Sequence, residues 1–595
     1  MQKEVVLQQI ANRLRHHVLH MTTRAGSGHP TTCLSSAEIM ACLFFSDMKY
    51  NAKHPQDLAN DEFILSKGHA APILWAAYAE AGVIPFAELS KFRTFESQLE
   101  GHPTPRMPWV KVATGSLGQG LSIGVGMALA QRLHKSNAKT FVLVGDGECA
   151  EGSVWEAASL AAKLHVSNLV AIVDCNRLGQ SGESLHGKHA DVWKKKFESF
   201  GWSAKVIDGH NIKEILRAFA EKKKCPVVII AKTVKGKGVS FLEDKEGWHG
   251  KALSPGELID ALRELGPLPG IDAKKFVHHR KPMAQKLSWL GVPAVSYKHG
   301  DQVATREGYG TMIAKLGKNP RIVALDGDVK NSTFAEKFKS LYPARFVDSF
   351  IAEQNMVGMA MGFAAKGFVP FASTFAAFLT RAHDQLRMAA ISRLNLKCVG
   401  SHAGVSIGED GPSQMGLEDL ALFRSLPEST VLYPCDAVSA EKCTALLAQS
   451  TGIGYLRTTR PKTSVIYKSA DLFVIGGSKL IVKGKDLLII AAGITVHESL
   501  KAAKLLKKKG ISASVLDAYS IKPLDAKTIK VQAKGKQVIV VEDHYAQGGL
   551  GEAIASSGIS ITHLCIKEIP RSGKADVLLA KYGIDAKAIV AAVKK

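Results

Sequence analysis

A chain of 595 residues is too long for one core, and its length implies about three to five domains. Its hydrophobic content is an ordinary 46%, no apolar run reaches the roughly eighteen residues of a membrane span, and the amino-terminal MQKEVVLQQIANRLRHHVLH has the pattern of an amphipathic helix without a signal-peptide core. The net charge of +23 raises the question of a nucleic-acid partner, but the lysines are dispersed and no recognition module accompanies them, so a soluble cytoplasmic protein without nucleic acid or membrane partners is expected.

From Met1 to about Leu268 helix and apolar strand alternate, as in a doubly wound parallel sheet. In Arg24-Ala-Gly-Ser-Gly-His-Pro30 a glycine-rich turn stops the first helix and presents His29. Ser66-Lys-Gly-His-Ala repeats the arrangement after an apolar strand, Phe63 to Leu65, with His69 opening the next helix. His102 follows in Gly-His-Pro-Thr-Pro, and Thr114 to Gly120 is again glycine-rich. Any one of 21 histidines has a surface or structural explanation. Three in glycine- or proline-bounded loops of one domain shift the odds.

The most informative run is 142–180. The strand Phe141 to Val144 ends in Gly145-Asp146-Gly147, a turn at the carboxyl end of a strand, where open α/β sheets bind ligands. An alanine-rich helix leads to a second apolar strand, Leu169 to Val173, and then to Asp174-Cys175-Asn176. One βαβ crossover takes roughly thirty residues, so it brings Asp146 and Asn176 together. A carboxylate, an amide oxygen and a backbone carbonyl such as that of Leu178 suit a hard divalent cation, with Mg2+ first and Ca2+ or Mn2+ as alternatives. Each half alone is a common turn or strand end; the pair at one-crossover spacing is much more specific. The nine cysteines contain no CxxC pair, which argues against a zinc site or a disulfide framework.

Residues 269–298 are rich in proline and lysine and read as an interdomain connection. A second α/β pattern covers about 299–467. Its first strand ends in Asp326-Gly-Asp328, but no asparagine follows one crossover later, so no second metal site is assigned. Phe350-Ile-Ala-Glu353 opens a helix, where the helix dipole alone explains a glutamate. Phe375 and Phe378, three apart, have the spacing of ordinary core. The glycine-rich loop Ser401 to Pro412 carries His402 and Asp410. A third α/β pattern, 471–595, holds no constellation of chemical groups and reads as a small domain contributing to oligomer contacts.

The GDG…N pair resembles the motif by which thiamine diphosphate enzymes hold the diphosphate through a metal. SGHP, SKGHAAP, GHPTP, ATGSLGQGL, GDGE, KGKG and WHG occur in the order found in the transketolase family, and the animal-type branch is the most similar. The resemblance covers nearly the whole chain and implies three consecutive α/β domains with mostly parallel sheets, binding the diphosphate, binding the pyrimidine, and carboxy-terminal. It implies Asp146, Asn176 and the Leu178 carbonyl as metal ligands. Gly115, Leu117, Gly147, Asn176, Lys235, His69, His249, Glu353 and Phe378 would meet the cofactor, Glu353 donating to the aminopyrimidine and Phe378 packing on it. His29, His102, His249, His402 and Asp410 would read sugar hydroxyls, with Arg306, Ser332 and Arg460 at the phosphate.

The implied reaction moves a two-carbon ketol unit between sugar phosphates in the pentose phosphate pathway, carried as a dihydroxyethyl group on the cofactor. His29, His69, His249 and His402 would shuttle protons with pKa values near working pH. The implied assembly is a homodimer with two sites at its interface; the dispersed lysines read first as solvated surface, with attraction of anionic sugar phosphates as the weaker reading. Two positions depart from relatives: Gln414, where many have histidine, and His383, where phenylalanine is more usual. A pyruvate-using deoxyxylulose-phosphate synthase lacks SGHP and the context of Arg460, and a catalytically silent homologue fits poorly with the intact Asp146, Asn176 and Glu353.

Overall fold

The computed structural model describes residues 2–221, 223–283, 288–289 and 291–594. They fall into two compact units, Met1–Lys286 with Met361–Lys366, and Leu287–Ala360 with Gly367–Lys595.

The first unit is built on a five-stranded, wholly parallel sheet of β1 (Glu62–Leu65), β2 (Thr140–Gly145), β3 (Leu169–Cys175), β4 (Ser203–Asp208) and β5 (Val227–Lys232), in the order β1-β2-β3-β5-β4. The central strand β3 is buried along its length, as its unbroken apolar run predicts for a sheet covered on both faces. Register pairs Gly145 with Asp174, so Asp146 and Asn176 leave the sheet at the same edge. The amino-terminal helix Lys3–Ala25 buries Ile10, Leu14 and Val18. Gly26, at φ 58° in the left-handed region, ends it by donating to the carbonyls of Thr22 and Thr23. Part of the proline- and lysine-rich connection packs on this unit: Ala273 is buried, His278 bridges to Lys49, and the Met283 N–H donates to Asp57. Of the rest, 284–287 and 290 lie outside the described residues.

The second unit contains β6 (Gln302–Ala304), β7 (Ile322–Asp326), β8 (Phe346–Asp348), β9 (Val369–Phe375), β10 (Lys397–Ser401), β11 (Thr430–Leu432), β12 (Gly454–Arg457), β13 (Lys462–Ser464), β14 (Lys479–Val482), β15 (Leu487–Ala491), β16 (Ala513–Asp517), β17 (Ser520–Lys522), β18 (Gln537–Tyr545) and β19 (Thr562–Ile566). β6 and β13 form a separate antiparallel pair. The large sheet runs β17-β11-β12-β10-β9-β7-β8 and is parallel except at β17. The last sheet, β14-β16-β15-β18-β19, is parallel except at β14. β17 comes from the carboxy-terminal segment, which therefore lends a strand to its neighbour's sheet. A buried cation reinforces the join: Arg457 donates to Asp419 at 2.8 Å and to the Asp543 carbonyl at 2.9 Å.

Candidate functional site

In the first unit the loops at the carboxyl ends of the strands enclose a cavity of about 480 Å3, lined by every residue of this unit singled out from sequence. Asp146 sits just past β2. Its Oδ1 accepts from the Gly147 N–H at 2.7 Å, and its Oδ2 accepts from the Arg177 N–H at 2.7 Å and from Ser184 at 3.0 Å. Burial, and then the nearby Asp174, push its carboxyl up from the ordinary range. Asn176 donates through Nδ2 to Asp174 at 2.9 Å, which turns Oδ1 toward the Leu178 N–H. The Leu178 carbonyl accepts from Lys235 at 2.8 Å. These three oxygens are a hard donor set, and a divalent cation beside Asp146 would reverse the cost of its burial, so the residues fit a Mg2+-like ion. A Cβ on Gly147 would meet nothing within 4 Å, so backbone and open space adjoin there, as a phosphate approach requires.

The histidines of this cavity form one cluster. The His29 ring centroid lies 5.3 Å from that of His69, 5.2 Å from His249 and 6.2 Å from His102, and His69 is 5.0 Å from His249. Among the described residues no group of three or more His, Cys, Asp or Glu is arranged to hold a metal. Gly115, at φ 126°, packs so tightly that a Cβ would come within 2.7 Å of the His102 ring, while Leu117 is partly exposed at the rim.

The expectation that these imidazoles titrate near working pH is overturned. Burial, followed by Arg93, His102 and Lys235, lowers His29 to about 4. Burial, followed by Lys235 and His29, lowers His249 to about 4, and His69 is also held well below its ordinary value by burial. These rings are neutral at physiological pH. They can donate or accept hydrogen bonds there without carrying charge.

Three residues that sequence reasoning missed brace this cavity. Lys67, fully buried, donates to the Thr32 carbonyl at 2.9 Å and to Asp174, whose other partners are Ser35, Thr233 and Asn176. Asp174 thus fixes the orientation of the Asn176 amide. Glu148 accepts from the N–H groups of Gly118 at 2.8 Å and Gly145 at 2.9 Å and from Ser66, tying the glycine-rich loop to the metal-type turn. Lys67 and Glu148 stand inside SKGH and GDGE, so adjacency to a motif was their signal.

The second unit gathers the remaining candidates. Glu353, buried at the start of the helix Glu353–Ala365, pairs with Arg381, whose Nη1 donates to both carboxylate oxygens at 2.9 and 3.1 Å. Arg381 also lies over the Phe378 ring at 5.1 Å. Phe378 stacks on Phe375 with centroids 5.4 Å apart, and Phe375 stacks on His402 at 4.0 Å, so the two half-buried phenylalanines are a platform beside a histidine rather than core. Burial, and then Arg306 and Arg460, lower His402 to about 3. Arg306 donates to the Ser332 carbonyl at 2.8 Å, and Arg460 donates to the Ile407 carbonyl at 2.8 Å and lies 3.4 Å from Asp410. Two guanidinium groups therefore flank His402. Asp326 accepts from the Val329 N–H and from Thr333, both at 2.7 Å, within its own turn. Gln414 is partly buried in a short turn and His383 is exposed at a helix start.

Three family models match in succession: the transketolase thiamine diphosphate binding domain over residues 6–281, the transketolase pyrimidine binding domain over 301–465 and the transketolase C-terminal domain over 476–589. The transketolase of Homo sapiens is 50% identical over 610 aligned residues, covering 100% of this chain and 98% of that protein. Transketolase-like protein 2 of Mus musculus is 49% identical, covering 99% of this chain and 97% of that protein. Among solved structures, the transketolase of Campylobacter jejuni superimposes with a TM-score of 0.87 at 26% identity, covering 99% of each chain. With all three segments matched in order along its length, the chain belongs to the transketolase family of thiamine diphosphate enzymes.

Proposed function

We propose that the chain moves a two-carbon ketol unit from a ketose phosphate such as xylulose 5-phosphate to an aldose phosphate such as ribose 5-phosphate or erythrose 4-phosphate, in the pentose phosphate pathway. The observation that carries this reading is the buried Asp146 carboxylate, set beside Asn176 and the Leu178 carbonyl and opening onto a cavity walled by neutral histidines. Asp146, Asn176 and the Leu178 carbonyl would hold Mg2+ or a similar divalent cation beside the bound cofactor. When bound, thiamine diphosphate supplies the electron sink for carbon–carbon bond cleavage.

The chain's own residues orient and move protons around that chemistry. Lys235 lies 2.7 Å from His249 Nδ1, and an ammonium can only donate, so with Lys235 charged the imidazole proton would sit on Nε2. His29 and His69, kept neutral, can accept a hydroxyl proton or donate to a developing oxyanion without first losing charge. Arg306 and Arg460 supply the cationic field for a sugar phosphate, with His402 and Asp410 beside it to read its hydroxyls. Glu353 would hydrogen-bond the aminopyrimidine against the Phe378 face, which requires that Arg381, half exposed, release the carboxylate. One cofactor has to meet both Asp146 and Glu353, and a homodimer with paired sites at its interface meets that demand. A cytoplasmic location is part of the proposal; among the described residues no helix is long and apolar enough to cross a membrane.

A coupled assay with xylulose 5-phosphate and ribose 5-phosphate, run with and without thiamine diphosphate and Mg2+, tests the proposal. Ketol transfer that needs both additions is the expected result. Turnover of pyruvate in its place, or of neither donor, overturns it.

A further inference from the structure

A second cavity of about 590 Å3 lies in the first unit and shares no lining residue with the histidine-walled one. Its basic side chains come from one helix. Arg13, His17, His20 and Arg24 are spaced four, three and four apart on Lys3–Ala25, which puts them on one face. The opposing wall is apolar and comes from two other segments: Phe86 and Leu89 on one side, Leu258 and Leu268 on the other. Phe86 and Leu268 are 42% and 48% exposed, so the wall presents apolar surface to solvent.

The charges around this cavity do not cancel. Arg13 is spent, because its Nε donates to the buried Glu80 at 2.7 Å and its Nη1 to the Pro269 carbonyl at 2.6 Å. His17 shares Glu80, with Nε2 at 2.6 Å, and its ring centroid lies 5.2 Å from that of Phe86. No carboxylate lines the cavity. Arg24 is exposed in the last turn of the helix and makes no hydrogen bond or ion pair among the described residues. Burial, followed by His17, lowers the pKa of His20, leaving a neutral ring. One solvent-facing guanidinium with no carboxylate partner and an apolar wall are complementary to a single negative charge on an apolar body. A phosphate dianion would leave charge uncompensated there.

We propose that this cavity is a second small-molecule site that takes an apolar-bodied monocarboxylate, its carboxylate at Arg24 and its body against Phe86, Leu258 and Leu268. The probe is naphthoate, with the neutral naphthamide as its isostere, titrated calorimetrically into the full chain saturated with thiamine diphosphate and Mg2+ so that the other cavity is filled. One-site naphthoate binding is expected, with naphthamide weaker by about tenfold or more. Arg24→Gln should weaken naphthoate by about tenfold and leave naphthamide unchanged, and Phe86→Ser should weaken both. Lys508→Gln, a remote charge deletion, should alter neither. The absence of saturable naphthoate binding, equal affinity for the two probes, or an Arg24→Gln protein that binds naphthoate as the wild type does would each overturn the proposal.

Discussion

Lys235 holds its ammonium 2.7 Å from Nδ1 of His249 and also donates to the carbonyls of Leu178 and Gly179. One side chain therefore sets both the tautomer of a histidine and the position of an oxygen proposed to ligate the metal. Lys235→Met should lower kcat/KM by about 10- to 100-fold. It should also move the acid limb of the pH–rate profile upward, because His249 is held near 4 by burial first and by Lys235 next. An acid limb that stays in place would remove Lys235 from this role.

The same reasoning predicts a broad plateau for the wild type. With His29 and His249 at about 4 and His402 at about 3, histidine protonation should not depress kcat/KM as the pH falls through the ordinary imidazole value. A rate profile titrating near 6.5 in its acid limb would show that these rings are not the groups that must be neutral.

Asp146→Asn separates function from stability. Loss of the carboxylate should abolish Mg2+-dependent binding of thiamine diphosphate and cut activity by at least about 100-fold. The cofactor-free protein should melt within about a few degrees of the wild type, since neutralising a carboxylate that burial disfavours is offset by an amide NH2 facing a backbone N–H of Gly147 or Arg177. Cofactor titration and thermal melting of the same preparation decide the matter.

Arg381 competes for the carboxylate that the pyrimidine is proposed to use. Arg381→Gln removes an ion pair whose cationic end is 52% exposed, so the fold should be little affected. Affinity for thiamine diphosphate should rise by up to about fivefold, the factor such a pair commands. Weaker cofactor binding would mean that Arg381 supports the site.

The loop carrying Asp410 is pinned from the carboxy-terminal segment. Asp543 accepts from the Val405 N–H at 2.8 Å, and a Cβ on Gly404, at φ 78°, would fall 1.9 Å from its Oδ2. Gly404→Ala should therefore shift the loop and raise KM for the sugar phosphate by about tenfold with a smaller change in kcat. Equal loss in kcat with KM unchanged would point to the chemistry.

Asp326 gives a stability signature. Burial raises its carboxyl to about 7 in the fold against 3.8 for the ordinary group, so the folded chain keeps a proton that the unfolded chain releases. That contribution is fully present below the unfolded value and is lost as pH rises through about 7. Asp326→Asn should abolish it, so the melting-temperature difference between variant and wild type should change by roughly a few degrees across that window. A constant difference would count against the shift.

Much of the site was legible because its residues sit at strand ends in the sequence itself. Asp146 and Asn176 are one crossover apart, and the register that seats Gly145 opposite Asp174 follows from two apolar runs of matched length. The contact between Lys67 and Asp174 was not legible, since it spans 107 residues, although each stands beside a motif residue. The histidine pKa values were missed for a related reason, since burial and neighbouring cations come from the packed fold. β17 escaped notice because three residues, Ser520 to Lys522, are too few to carry a period.

That short strand has a consequence for any shortened form of the chain. β17 covers the flank of β11, so a protein ending before the carboxy-terminal segment would expose a row of unpaired amides and carbonyls along Thr430–Leu432. It would also strip Arg457 of its Asp543 acceptor. Proteolytic trimming at that boundary should yield material that self-associates through a naked margin, whatever becomes of the pocket at Asp146.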